Sequence, residues 1–347
     1  MAGQRLTRMI ALVAIFLAGS LTACCLWSTP MKHRIDPTPT PLEIEDAGTL
    51  NGIQLVALDT GVALIASSQH QAASGFPPYR ITLRKMALAP ALSEPEALFD
   101  IRLLLPSPAH WEASQNPDGQ WTVVYEYNGG AVNALLLATP AGDTITVSSQ
   151  VPFGSFHYPH FVRSAKAPQG ERIVASRDKK EIVVFAREQN GSFGELRPLT
   201  DGVDGLLLDT ARESFLLFKR LIPGTTRSDR LPGRLHATRL SADYGMKEVH
   251  PALPENAVCY DFDACLHGDS IYLLAVTERG VTLFKGSVQD EPLQFAPLSE
   301  IGSGDRLFTH PTLVDSGAGV YGALIENENQ SGAGIVYFKH AVEAAER

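Results

Sequence analysis

The chain predicts an all-β fold, a six-bladed β-propeller whose ring is closed by a strand from near the N-terminus, on three observations. From about residue 48 onward, short β-prone runs alternate with Gly, Pro, Asn and Asp, and no apolar pattern of helical period is sustained. The runs come in a repeated pair, an apolar strand and a second strand ending in Leu, Phe or Tyr, separated by a polar turn. That pair recurs six times, its first strands beginning at residues 62, 121, 172, 214, 270 and 320, an average step of about 52 residues. Radial repetition of four-stranded blades near this spacing leaves only short, protected sheet edges. A pair of β-sandwiches or an irregular β-solenoid is the alternative that also yields many short strands.

The paired runs are 62–66 with 80–85, 121–125 with 134–138, 172–176 with 182–186, 214–219 with 235–240, 270–275 with 281–285, and 320–324 with 335–339. Each is rich in Val, Ile, Leu, Phe and Tyr, residues that fit a pleated, packed surface. The sixth unit lacks an outermost strand, because residues 342–347 are polar and Ala-rich. Residues 41–47, where Leu42 and Ile44 alternate with Glu43 and Glu45, are expected to supply it and join the two ends of the chain. The units lack the Trp-Asp ending of WD40 blades and the Ala-x-Asp-x-x-Thr-Gly pattern of quinoprotein-like blades, so no named propeller family is assigned.

The N-terminus carries an address. Arg5 and Arg8 precede an apolar run over residues 9–21, too short to span a bilayer as a mature helix, which ends in Leu21-Thr22-Ala23-Cys24. The segment resembles a bacterial lipoprotein signal peptide with its lipobox. That resemblance implies cleavage before Cys24 and acylation of the Cys24 sulfur and amine, which makes the lipid bilayer a partner. Cys25, rather than Asp, at the next position implies sorting to the outer membrane, facing the periplasm. Several acyl chains are needed for stable anchoring, each buried methylene contributing roughly 0.8 kcal/mol. The expected organisation is a signal peptide over 1–23, a lipidated tether over 24–41 and a propeller domain over 42–347. Pro30, Pro37, Pro39 and Pro41 keep the tether extended, to a reach of up to ~50 Å at ~3.1 Å per residue.

Cleavage would remove two of the 29 basic residues and none of the 38 acidic ones, leaving a charge of −11. With no cluster of Lys and Arg to displace counterions, nucleic acid is excluded as a partner. Apolar content of 44% suffices for a large core. Cys259 and Cys265, the cysteines of the globular part, are expected to close a small disulfide loop in an oxidising compartment, worth roughly 2–3 kcal/mol. Two free thiols or a metal site are the alternatives. Zinc fits poorly, because C-x5-C has only His267 nearby as a further ligand.

Enzyme signatures are sparse. There is no G-x-S-x-G elbow, H-E-x-x-H, P-loop or dinucleotide glycine pattern, and no cofactor is expected. Gly268-Asp269-Ser270 matches the nucleophile block of SGNH esterases in residues but precedes a strand deep in a β chain, where a Gly-Asp turn is the simpler reading. The Asp-box of sialidase-like propellers, S-x-D-x-G-x-T-W, has its nearest counterpart at Ser176-Arg177-Asp178-Lys179-Lys180, which lacks the Gly, Thr and Trp.

More informative is a recurring placement. His110-Trp111-Glu112, His157-Tyr158-Pro159-His160 and Thr309-His310-Pro311 each lie about a dozen residues before a main blade strand. In that register they lead into the innermost strand, alongside Asp209 in the fourth unit and Asp261 with Asp263 in the fifth. His110, His157, His160, Asp209, Asp261, Asp263 and His310 are therefore expected to meet at one mouth of the central channel. There they would bind a metal or a polar ligand, act as acid and base, or simply hydrogen-bond neighbouring loops and close the channel. His157, His160 and His310 form the first ligand set for a metal. Arg227 and Arg230, in the excursion over residues 223–232, are candidates for contacting an acidic group on a partner; otherwise the excursion is a solvated hairpin tip. Residues 76–79, Phe-Pro-Pro-Tyr, are a similar aromatic candidate.

Two functions fit. In one, a non-enzymatic propeller lipoprotein binds a protein partner in the periplasm, as an envelope scaffold or as an immunity factor against a delivered toxin. In the alternative, an envelope hydrolase or lyase acts on glycan or peptidoglycan at the channel mouth. The legibility of most enzyme motifs favours the first.

Overall fold

Continuous burial, rather than alternation, marks inner strands of the repeat units. In Val203–Asp209 every residue is buried, and in Ser270–Thr277 all but the two ends are. A strand whose sheet is covered on both faces reads as an unbroken apolar run, and radially stacked blades cover each other in this way.

The computed structural model describes residues 40–42, 49–71, 79–103, 110–115, 119–128, 133–141, 144–148, 155–164, 172–187, 193–224, 231–254, 257–303, 307–328 and 332–342. Cys24 and its lipobox, most of the tether, Arg227 and Arg230, and residues 76–78 lie outside them. The first described strand, β1 (Thr40–Leu42), stands alone in sequence. Blade 1 follows as β2 (Thr49–Leu58), β3 (Gly61–Gln71), β4 (Tyr79–Ala89) and β5 (Glu96–Leu103). Blade 2 is β6 (Trp111–Gln115), β7 (Trp121–Asn128), β8 (Asn133–Ala141) and β9 (Thr144–Ser148). In blade 3, β10 (Phe156–Phe161) pairs with β12 (Arg172–Arg177), then β13 (Glu181–Arg187) and β14 (Phe193–Asp201), while the two-residue β11 (Arg163–Ser164) leaves for the next blade.

Blade 4 is β15 (Val203–Asp209), β16 (Ser214–Leu221), β17 (Gly233–Leu240) and β18 (Met246–Pro251). Blade 5 is β19 (Cys259–His267), β20 (Ser270–Thr277), β21 (Gly280–Ser287) and β22 (Ala296–Ser303). Blade 6 is β23 (Leu307–Asp315), β24 (Val320–Glu328) and β25 (Gly332–His340). Its fourth strand is β1, antiparallel to β25 with Thr40 opposite Tyr337 and Leu42 opposite Ile335. The chain is thus an all-β, six-bladed propeller closed by its N-terminal strand. The closing strand starts at Thr40, inside the proline-rich run, and takes in Pro41. An edge strand tolerates a residue that has no N–H to give.

Apolar clusters fill the interfaces between adjacent blades. Val56, Ile65 and Leu83 pack against Trp121, Val123 and Tyr125 between blades 1 and 2, and Leu64 and Met86 pack against Tyr321 and Ile335 where blade 6 meets blade 1. Among the described residues, two strand pairings cross between blades. β11 runs parallel to the end of β15, and Gly233 of β17 pairs with Cys259 of β19, joining blades 4 and 5 in one sheet. The near-match to an Asp-box forms the β12–β13 turn, where Asp178 and Lys179 take φ of 52° and 53° and Lys180 N–H donates to Arg177 O. Successive positive φ values give the type I′ twist that suits a hairpin.

The expected disulfide is not formed. Cys259 and Cys265 are both free and buried, and both lie on β19 rather than at the ends of a loop. Six residues of extended strand span ~20 Å, whereas a disulfide requires Cα atoms within ~7 Å. A bulge between Cys259 and Asp261 also turns the two to opposite faces. Cys259 packs with Leu206 and Leu235, and Cys265 with Tyr272 and Phe338. Burial pushes the Cys259 thiol up to about 12 and the Cys265 thiol higher still. Both should therefore resist iodoacetamide at pH 8 in the native protein and alkylate fully in denaturant. Peptide mass mapping checks this, and a native Cys259–Cys265 cross-linked peptide would overturn the assignment.

Candidate functional site

Five of the six innermost strands share one irregularity at the same end. β2, β10, β15, β19 and β23 each carry one extra residue against the neighbouring strand, at Leu50/Gly52, His157/His160, Val203/Gly205, Cys259/Asp261 and Thr309/Thr312. Tyr158, Asp204 and His310 sit at these bulges with φ of 51°, 52° and 49°. Non-glycine residues hold that conformation only where surrounding contacts enforce it. A bulge bends its strand and re-aims side chains, and here the residues at and beside the bulges line one cavity at the channel mouth.

The cavity measures about 340 Å³, within the range of small-molecule sites. Its apolar wall includes Trp111, Tyr158, Tyr260, Leu231 and Ile325. Gly52 makes room for the first of these, since a Cβ there would lie 2.8 Å from Trp111 Nε1. The Trp111 indole donates instead to Ser67 Oγ at 2.9 Å.

The floor is a circuit of polar contacts passing through all six blades. Gln54 of blade 1 exchanges hydrogen bonds with the backbone of Ala113, donating to its carbonyl at 3.0 Å and accepting from its N–H at 2.6 Å. Glu112 of blade 2 accepts from Phe161 N–H at 2.9 Å and from His160 Nδ1 at 3.1 Å. The other nitrogen of His160 reaches Asp204 of blade 4 at 3.2 Å. Lys219 pairs with Asp204 at 2.7 Å and donates to Tyr260 O of blade 5 at 2.9 Å. Arg163 pairs with Asp263 at 2.7 Å and lies 3.6 Å from Glu112. Asp261 and Asp263 accept from the N–H groups of His310 and Leu313 in blade 6 at 3.0 and 2.6 Å. Thr312 Oγ1 accepts from Leu55 N–H at 2.9 Å and returns the circuit to blade 1.

Beside the cavity, Glu126 accepts from two imidazoles, His110 at 3.1 Å and His157 at 2.7 Å. Burial disfavours its charge, but these two partners outweigh that and hold its carboxyl at about 2. An ionised carboxylate only accepts, so both imidazoles present Nδ1–H to it. His157 Nε2 lies 3.1 Å from Ser155 Oγ, whereas His110 lines the cavity.

His160 is disfavoured as a cation by burial, yet Asp204 and Glu112 raise it to about 10. Asp204 is lowered despite burial by Lys219 and His160, and Lys219 is raised by Asp204. For Asp261 burial dominates and raises the carboxyl, with Lys219 opposing and Asp204 adding to the rise. Asp263 is likewise raised by burial against the pull of Arg163.

Of the residues expected at the mouth, His110, His160, Asp261, Asp263 and His310 line the cavity. His157 stands behind it, buried between Ser155 and Glu126. Asp209 is misplaced by the sequence reading. It ends β15 rather than leading into it, and it pairs with Arg172, which also donates to Tyr244 OH. Asp204 holds the position assigned to Asp209. Sequence reasoning also missed Gln54, Glu126, Arg163 and Lys219, and it quoted Glu112 without selecting it. Among the described residues, no group of three or more His, Cys, Asp or Glu side chains is arranged to hold a metal ion. His157 and His160 are turned to carboxylates instead.

The chain is a six-bladed propeller with a polar-floored cavity at one mouth of its channel. No known family model and no curated protein sequence matches the chain. Solved structures share the fold. A protein of unknown function from Dyadobacter fermentans DSM 18053 superposes with a TM-score of 0.61 at 10% identity, over 89% of this chain and 100% of that one. The NanB sialidase of Streptococcus pneumoniae gives 0.57 at 8% identity over 91% and 72%, and the phage phi92 endosialidase 0.55 at 8% over 89% and 70%. At these identities the likeness establishes the propeller fold.

The titrations set a stability window. Imidazolium at His160 stabilises the fold in full below its unfolded value of 6.5 and loses that contribution as pH rises toward about 10. Carboxylate at Glu126 contributes in full above 4.5 and loses it as pH falls toward about 2. Thermal melts should therefore give the highest midpoint between about pH 4.5 and 6.5. His160→Gln leaves Asp204 and Glu112 without their imidazolium, so it should lower the midpoint by about 5–10 °C at pH 6. The deficit should shrink between pH 7 and 10, and a deficit independent of pH would show that His160 is not held charged.

Proposed function

We propose that this chain is a lipid-anchored envelope protein that cleaves a glycan at the mouth of its propeller, as a hydrolase or lyase. What carries this reading is one cavity that holds both a carboxyl raised by burial, Asp261, and an imidazole oriented by a carboxylate, His110 with Glu126. A raised carboxyl is poised to protonate a leaving oxygen, and an imidazole presenting Nε2 is poised to take a proton from water or from sugar carbon. Aromatic walls beside a polar floor suit sugar rings, which have apolar faces and hydroxyl edges. The fold likeness to NanB sialidase and the phi92 endosialidase supports a glycan over a protein ligand without specifying the sugar.

In this mechanism Asp261 donates its proton to the glycosidic oxygen as the bond to the sugar breaks. His110 removes a proton from the attacking water, or from the carbon beside a sugar carboxyl or carbonyl, and Glu126 stabilises the imidazolium that forms. His160, Lys219 and Arg163 fix the carboxylates of the floor and shape the cavity.

Asp261→Asn and His110→Ala should each lower turnover at least 100-fold on any glycan found to be cleaved in a screen of envelope polysaccharides and peptidoglycan. Thermal melts of each variant, run alongside, separate loss of chemistry from loss of fold. Full activity in both variants would sink the acid and base assignment. Recovery instead of a stoichiometric periplasmic protein, by crosslinking from intact envelopes, would favour the scaffold or immunity role.

The address has its own test. Radiolabelled palmitate should enter the protein and be lost in Cys24→Ser, which should also leave the outer-membrane fraction. Unchanged fractionation of that variant would remove the anchor from the reading.

A further inference from the structure

Glu126 orients two imidazoles, and the second of them, His157, has a hydroxyl against its far nitrogen. Ser155 Oγ lies 3.1 Å from His157 Nε2, and His157 Nδ1 lies 2.7 Å from Glu126 Oε1. Register brings the three together. Ser155 immediately precedes β10 and His157 stands two residues on, which in an extended chain puts both side chains on one side. Glu126 reaches them from β7 of blade 2. Ser155 O accepts from Asp178 N–H at 2.7 Å, which pins the serine to the β12–β13 turn.

Burial is graded along this line. Glu126 and His157 are buried, whereas Ser155 is partly exposed and lies outside the cavity that His110 lines. Glu126 is held ionised by its two imidazoles, so His157 turns its Nδ1 proton toward the carboxylate. In the neutral imidazole that leaves the Nε2 lone pair facing the Ser155 hydroxyl. A hydroxyl against an imidazole whose other nitrogen is oriented by a buried carboxylate is the arrangement that activates a serine for attack on a carbonyl, whatever the order of the residues in the chain. The turn carries exposed Lys179 and Lys180 against Asp178, a net positive charge beside the serine that suits a developing oxyanion.

Independently of the glycan reading, we propose that Ser155, His157 and Glu126 form a second reactive centre, a serine nucleophile that hydrolyses carboxylic esters. Ser155 Oγ bonds to the ester carbonyl carbon while its proton passes to His157 Nε2, and Glu126 stabilises the imidazolium that forms. The bond from that carbon to the leaving alcohol breaks as His157 returns the proton to the alcohol oxygen. Water then repeats the sequence on the acyl-serine and releases the carboxylic acid. The hydroxyl opens outside the cavity, which suits a short acyl group carried on a larger molecule.

The full-length protein would be treated with a biotinylated fluorophosphonate, the labelled peptide mapped by mass spectrometry, and turnover of p-nitrophenyl acetate measured in parallel. The label should fall on Ser155. Ser155→Ala should abolish it and lower acetate turnover at least about 100-fold, and His157→Gln and Glu126→Gln should each lower both at least about tenfold. Ser155→Cys, a one-atom exchange, should alkylate at position 155 with iodoacetamide at least about tenfold faster than the double variant that also carries His157→Gln, because the imidazole draws off the thiol proton. No label at Ser155, or label and alkylation there that are indifferent to His157, overturns the proposal. None of these readouts involves glycan turnover, so the esterase and the glycan reading stand or fall separately.

Discussion

The pairing of buried charges across blade boundaries is the constraint on which the centre of this molecule depends. Innermost strands of a propeller converge without hydrogen-bonding one another as a ladder, so their edges and side chains must be satisfied in some other way. Here Glu112, Asp204, Asp261 and Asp263 each reach out of their own blade or hold a cation that does. Buried ion pairs contribute little net stability when compared with apolar packing, but removing one partner costs about 3–5 kcal/mol. The floor is therefore better understood as fixing which strand lies against which than as the main source of stability. That source is the apolar packing between blades, where Phe185, Phe215, Phe218 and Tyr272 are buried almost completely.

The repeated bulge converts this arrangement into a site. A regular strand turns alternate side chains toward the two adjoining blades, and none would then point into the channel. One added residue near the start of β10, β15 and β23 places Tyr158, Asp204 and His310 in a left-handed conformation and turns the chain there toward the channel mouth. In β10 and β23 the residue that follows is proline, Pro159 and Pro311, which has no N–H to leave unpaired at the irregularity. The polar floor and the aromatic wall thus derive from a single backbone device used several times.

Much of the fold was legible in the sequence because the middle strands of each blade are covered on both faces. Runs such as Ser214–Leu221 and Ser270–Thr277 carry that double burial as unbroken apolar sequence. Outer strands such as Met246–Pro251 and Ala296–Ser303 are largely solvent-facing and polar, so nothing in their composition separates them from loops. The site was legible in part. Histidines recurring before blade strands marked the end of the channel at which the cavity lies. Lys219 enters from the second strand of blade 4, and Glu126 from the second strand of blade 2, positions that only tertiary register brings to the centre. Asp209 precedes the apolar run at 214 and so reads as a lead-in, whereas Asp204, at the other end of the same short strand, takes the channel-mouth position only once the fold is known. The cysteine pair failed for a related reason, since five intervening residues look like a loop until they are recognised as strand.

Among the described residues the blades of the ring are not all joined in the same way. Backbone pairing of β11 with β15, and of Gly233 with Cys259, couples blades 3, 4 and 5 into an arc that main-chain hydrogen bonds hold together. Where blades 1, 2 and 6 adjoin, the contacts described are those of side chains and of side chains with backbone, with β1 supplying an outer edge. Asp204, Lys219 and Asp261 belong to the arc joined through main chain, while His110, Trp111, Glu112, Gln54 and Thr312 belong to blades that, among the described residues, meet through side chains. The cavity is thus bordered by two kinds of seam, so a substitution at Gln54 or Thr312 removes a link between blades that no described backbone pairing duplicates.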